Sequence, residues 1–122
     1  MYRISGWASV FNEMDAIGDV ILPGAFGAVD TKSVPMYRQH SFAYASPGRW
    51  ETIRETPYGL YVDGICAERP SVSGLSIGFR PILWIKDRDG NRILEKVSLV
   101  EISLVRDPMQ RKAVITRKEC LT

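Results

Sequence analysis

Histidine, cysteine and long apolar runs are all scarce in this sequence. Histidine occurs once, at His40, and cysteine twice, at Cys66 and Cys120. Apolar runs fall well short of the ~20 residues that a membrane-spanning helix needs. One histidine and two distant thiols, with no Cys-x-x-Cys pair, supply neither a convergent metal-ligand set nor a disulfide framework. No cofactor or metal is therefore expected, and reduced, inert thiols of an intracellular protein are. Charge of one sign is also scarce, with a net charge of +2 on a chain that is 25% charged. Neither a nucleic-acid footprint nor an acidic arm is present, so nucleic acid and membrane are not expected partners. Met1–Trp7 runs directly into a strand-like pattern instead of a basic start, apolar stretch and cleavage site, which predicts a soluble, unsecreted protein. Finally, no window repeats apolar residues at i, i+3, i+4 and i+7, so helix should be minor.

What is present is a succession of short, alternating, β-branched and aromatic segments. Arg3 to Phe11 reads as a strand closed by Asn12-Glu13-Met14-Asp15, and Gly18 to Leu22 as a short strand ended by Pro23-Gly24. Ala25 to Val29 is either a single helical turn or another short strand. Val34 to His40 is extended, with Pro35 suited to an edge and His40 where the strand opens into the loop Ser41 to Gly48. Arg49–Glu55 and Gly59–Ile65 make a hairpin around Thr56-Pro57-Tyr58. Leu75 to Lys86 and Arg92 to Arg106 flank Asp87-Arg88-Asp89-Gly90-Asn91, whose Asp-Gly supplies the positive φ of a tight turn, and the long second strand is expected to contain a bend or bulge. Ala113 to Thr116 forms a last short strand. Over 122 residues this predicts one mainly β domain, residues 1–122, with one core. A small antiparallel β-barrel is the expected architecture, because closure removes exposed edges.

Three residues could do chemistry together. Gly74-Leu75-Ser76-Ile77-Gly78-Phe79 places a small hydroxyl between two glycines in an apolar strand. The string matches a Gly-x-Ser-x-Gly nucleophile elbow, but that architecture needs a helix after the serine and a histidine later in the chain. Pro81 stops a helix and His40 precedes Ser76, so a nucleophilic Ser76 belongs to a strand of another fold. Ser71 and Ser73 are competing hydroxyls, and tight packing between layers equally explains a small residue at position 76. His40 offers an imidazole, the side chain best suited to general-base and general-acid work. Glu101 lies in the apolar run Val97–Val105, where a buried carboxylate needs a partner. That partner is His40 in a catalytic reading, or an arginine such as Arg80 or Arg106 in a structural one. Strict alternation places Val97, Leu99, Glu101 and Ser103 on one face of this strand. Trp7, Trp50 and Trp84 leave a ligand-binding barrel as a weaker reading, since aromatic residues more often fill cores.

Several strings, in order along nearly the whole chain, resemble the prohead (head maturation) serine proteases of tailed bacteriophages, whose fold is similar to that of herpesvirus assemblin. They are Gly6–Asn12 with Asp15 and Gly18-Asp19, Leu22–Phe26, Val34-Pro35 leading to Gln39-His40, and Gly59–Val62. Gly74–Phe79, Leu99–Val105, and Pro108 with Ala113-Val114 complete the set. The resemblance implies a serine endopeptidase with Ser76 as nucleophile, His40 as base and Glu101 as the acidic third member. Assemblin uses a second histidine there, which this chain does not have. The implied substrates are phage scaffold protein, the scaffold-like delta region of the capsid protein, and the protease itself, cleaved in the host cytoplasm inside the assembling procapsid. The resemblance also implies a self-association surface, and so a homo-oligomer. Family members carry a longer, partly helical stretch before the serine motif, where this chain has only Cys66–Ser73. The alternative is therefore a shortened, inactive barrel that binds capsid or scaffold. Arg80 and Arg106 are left outside the site as surface charges.

Overall fold

The two hairpins follow from their turn residues. In the computed structural model, which describes residues 1–122, β4 (Gly48–Glu55) and β5 (Gly59–Cys66) pair antiparallel. Their turn is pinned by Thr56, whose Oγ1 accepts from the N–H groups of Tyr58 at 3.1 Å and Gly59 at 3.2 Å. A longer hairpin joins β6 (Gly74–Lys86) to β7 (Arg92–Val105). In its turn Asp87 Oδ1 accepts from the N–H groups of Asp89 and Asn91, each at 2.9 Å, and Gly90 takes φ 82°.

The remaining strands are β1 (Tyr2–Val10), β2 (Asp19–Ile21), β3 (Met36–Arg38) and β8 (Ile115–Cys120), with one 3₁₀ turn at Thr31–Ser33. One sheet has the order β4-β5-β1-β8. In the other, β7 is central, with β6 along one edge and β2 and β3 sharing the opposite edge. Ile4, Leu60 and Val62 from the first sheet meet Met36, Leu75, Leu94, Ile102 and Leu104 from the second in one hydrophobic core. Burying side chains of this size contributes about 1.5–3 kcal/mol each, the main stabilising term.

Mainly β is correct, but the expected antiparallel barrel is not. The strands β2 and β3 run parallel to β7, with Val20 opposite Ile93 and Tyr37 opposite Ser103. Alternation has period 2 in either direction, so the sequence pattern does not distinguish them. The sheets are also open, and no ladder closes them into a barrel. At one seam the contact is local, Leu75 N–H to Ala113 O at 2.9 Å and Ile115 N–H to Ser73 O at 2.8 Å. At the other, side chains bridge the gap, Ser46 Oγ to Met36 O at 2.7 Å and Trp50 Nε1 to Ile102 O at 3.3 Å. The strand β3 is too short to pair with β4, and beyond Phe79 the strand β6 pairs only with β7.

Two polar clamps shape the loops. Ala25 to Val29 is neither helix nor strand but an irregular, bent segment. The Glu55 carboxylate gathers the N–H groups of Gly24, Phe26 and Gly27 beside it at 2.6, 3.1 and 2.9 Å. Gln110, nearly buried, ties the loop before β8 to the end of β1, accepting from Val10 N–H at 2.6 Å and donating to Val10 O at 2.8 Å. The last strand lies later than expected, because Arg117 to Cys120 is a mostly exposed edge with no apolar alternation to reveal it.

Candidate active site

His40 is positioned by a turn that its sequence does not advertise. Gln39 and His40 both have positive φ, 51° and 61°, and Ser41 N–H bonds back to Arg38 O at 2.9 Å. This is a two-residue turn of the mirror-image kind usually built from Asn and Gly. Non-glycine residues there cost on the order of 1–3 kcal/mol each, strain that characteristically gathers at functional sites. The turn places the imidazole beside β7, where Nδ1 donates to Glu101 Oε1. The imidazole remains substantially exposed, while Glu101 is 6% exposed.

Glu101 reaches this position through a bulge. Gly78 pairs with Glu101 but Phe79 pairs with Leu99, so Val100 is an extra residue in β7. The expected strict alternation is thereby corrected. Val97 belongs to the core and Leu99 packs against it, on the same side as Ile102 and Leu104, while Glu101 and Ser103 face the opposite way. A bulge turns the following side chains to the other face, and bulges are frequent beside active sites for this reason. Gly78 makes room for the carboxylate. A Cβ at that position would lie 2.6 Å from Glu101 Oε1 and 3.0 Å from its Cγ. The second glycine of the motif, Gly74, is as tightly placed, with Val105 O 2.7 Å from where its Cβ would be.

Ser76 pairs with Ser103 across the ladder, so the two side chains project from the same face as Glu101. Cross-strand partners have Cβ atoms about 4.5–5.5 Å apart. Ser76 is 4% exposed. No hydrogen bond joins it to His40, whose ring is held by Glu101 through Nδ1 and whose Nε2 is left free. A cavity of about 30 Å³, bordered by Ser9, Ile77, Phe79 and Met109, adjoins Ser76. Beside the His40 turn lies a cleft of about 280 Å³, lined among others by Arg38, Gln39, Glu68 and Arg69.

The structure separates the other candidates from this cluster. Ser71 and Ser73 are exposed ahead of β6, and Ser73 Oγ accepts from Lys118 Nζ at 3.4 Å. Arg80 and Arg106 are exposed and neither bonds to Glu101, whose partners are His40 and Ser103. The tryptophans share no platform. Trp7 packs edge-on to Tyr58 and Tyr61, Trp50 is in the core, and Trp84 lies under the Arg92 guanidinium. Cys66 is buried, which pushes its thiol up from the ordinary value and keeps it un-ionised. Sequence reasoning missed Ser103 as a site residue. Its Oγ donates to Glu101 Oε2 at 2.6 Å and accepts from His40 N–H at 3.0 Å. The available signal was a second small polar residue two positions beyond the carboxylate in an apolar run.

Against known proteins, the chain matches the prohead protease of Enterobacteria phage HK97, with 37% identity over 90 residues. The match covers 61% of this chain and 40% of that protein, so the chain spans well under two thirds of its relative's length. No family profile and no solved structure matches. The match carries no likeness to herpesvirus assemblin. It supports a relationship between this chain and the prohead proteases.

Proposed function

We propose that this chain is a serine endopeptidase of phage head maturation, acting on capsid or scaffold proteins inside the assembling procapsid. The observation that carries the reading is the pairing of the only histidine with a buried carboxylate, one strand away from a serine hydroxyl that no other group engages. With Nδ1–H donated to Glu101, the Nε2 lone pair is free to take the Ser76 proton as Oγ attacks the scissile carbonyl. Glu101 stabilises the imidazolium, which then protonates the leaving amine. Water repeats the sequence to release the acyl group from Ser76. Likeness to a prohead protease supports capsid or scaffold proteins as the substrate class.

The test is co-expression with the capsid and scaffold proteins of the same phage, followed by mass spectrometry of the products. Native chain should cleave them, and Ser76→Ala should abolish cleavage, a loss of about 10³-fold or more, with unchanged thermal stability. Cleavage that survives Ser76→Ala, or its absence with the native chain, would refute the reading.

A further inference from the structure

We propose that Ser103 is a positioning residue of this site, fixing both the Glu101 carboxylate and the His40 backbone so that the imidazole keeps its proton on Nδ1. The inference rests on the Ser76, His40 and Glu101 reading and extends it to a residue to which that reading gives no role.

A closed ring of hydrogen bonds carries the argument. His40 N–H donates to Ser103 Oγ, Ser103 O–H donates to Glu101 Oε2, and Glu101 Oε1 accepts from His40 Nδ1–H. A hydroxyl offers one donor and two acceptor sites, so one group serves both neighbours at once. Each partner is otherwise poorly determined. Glu101 is a buried carboxylate with a freely rotating terminal torsion, and Ser103 is the only donor to Oε2. His40 sits at positive φ in a turn without glycine, and its N–H would be unpaired without Ser103. Ser103 itself is 0% exposed and held by the ladders to Ser76 and Tyr37. The hydroxyl is thus anchored on β7 by ladders on both sides, and it aligns a side chain of the same strand with the backbone of the His40 turn. Charge-assisted bonds of this kind, from hydroxyl to carboxylate, are among the stronger ones.

The alternative is that Ser103 merely fills space between strands. Ser103→Thr keeps the hydroxyl, and Ser103→Val has nearly the same shape without it, so the pair isolates the hydrogen bonds from the volume. Ser103→Ala is measured beside them. Because His40 is the only histidine, its ring nitrogens are assigned without ambiguity in a ¹⁵N NMR spectrum. The expected result is an Nδ1–H tautomer in the native chain and in Ser103→Thr. In Ser103→Val and Ser103→Ala the spectrum should move toward the Nε2–H tautomer that an unconstrained imidazole prefers. Cleavage of the capsid and scaffold proteins should fall about 10–100-fold in kcat at little cost in KM. An unchanged tautomer and a kcat within about twofold of Ser103→Thr would overturn the proposal. The two readings fail separately. A tautomer change in a chain that cleaves nothing would sustain Ser103 as the positioning group and refute the protease, whereas cleavage indifferent to the hydroxyl would do the reverse.

Discussion

The β6–β7 hairpin contains two halves that share one ladder and differ in what covers their β6 strand. In the first half, Gly74–Gly78 opposite Glu101–Val105, the core covers one face and the His40 turn packs against the other. Every polar side chain buried there except that of Ser76 is engaged in the ring of hydrogen bonds. In the second half, Arg80–Lys86 opposite Arg92–Ser98, β7 still sends Leu94 and Val97 into the core, but β6 is uncovered and its consecutive apolar residues stand in water, with Ile82, Leu83 and Ile85 each 51–57% exposed. The bulge at Val100 marks the boundary between the halves. Backbone pairing is therefore not what makes a position sensitive. A site needs the covered half, where a carboxylate is desolvated enough for its partners to matter, and the exposed β6 arm tolerates change.

Gly78→Ala should break this comparison most visibly. Its new Cβ meets Glu101 Oε1 at 2.6 Å, and Glu101 cannot retreat without leaving His40 or Ser103. Overpacking of this kind costs about 1–3 kcal/mol, and a displacement near 1 Å at a catalytic group costs about 10²-fold in rate. Leu83→Ala, on the exposed β6 arm, should stay within about 0.5 kcal/mol of native stability and leave cleavage unchanged. Denaturant unfolding and product analysis on both variants decide the matter. Equal damage from the two would mean that the halves do not differ as described.

Much of this arrangement was legible because rare residues are informative. His40 stands out as the only histidine, Glu101 as a carboxylate within an apolar run, and the Asp87–Asn91 turn by its Asp-Gly. What the sequence concealed was backbone geometry. A bend or bulge is expected somewhere in Arg92–Arg106, but nothing marks Val100 as its place, and that extra residue decides which face Glu101 occupies. Nothing in Gln39-His40 marks a left-handed turn, since glycine and asparagine are absent from it. Closure failed as an expectation for a related reason. Strand length at the seams depends on where turns and bulges end each strand, and alternation does not record this.

The exposed end of the hairpin raises a second question, namely what besides Leu94 holds its base in place. The answer is charge. Arg92 opens β7 opposite Asp19 of β2 and grips its carboxylate in a fork, Nε to Oδ1 at 2.8 Å and Nη2 to Oδ2 at 2.7 Å. Asp19 is 3% exposed, so Arg92→Met would leave it buried without its cation. Losing one partner of a buried pair costs roughly 3 kcal/mol. Chemical denaturation should show that loss, while the folded fraction should cleave at the native rate. A variant as stable as the native chain would show that water solvates Asp19 freely, and the hairpin base would then need another anchor.

The smallest effect is expected at Asp15, which packs behind the same anchor. Its Oδ1 accepts from the N–H groups of Ile17 at 3.0 Å and Asp19 at 2.9 Å, closing the loop that delivers β2 to β7. Those bonds favour the carboxylate, but burial outweighs them and, with the nearby Asp19 charge, holds its pKa above the ordinary aspartate value. A carboxyl whose pKa is raised by folding binds its proton more tightly in the folded chain than in the unfolded one. Its stabilising contribution is thus complete below the unfolded pKa and is lost as pH rises through the folded one. Asp15→Asn retains an oxygen for both N–H groups and removes the charge. It should raise Tm at neutral pH by about 2 °C, and the gain should vanish as the pH is lowered past the titration of the native carboxyl. A variant less stable than native at neutral pH would mean that the ionised carboxylate, through Arg92, contributes more than its desolvation costs, and the charge network at the hairpin base would then extend one residue further than Asp19.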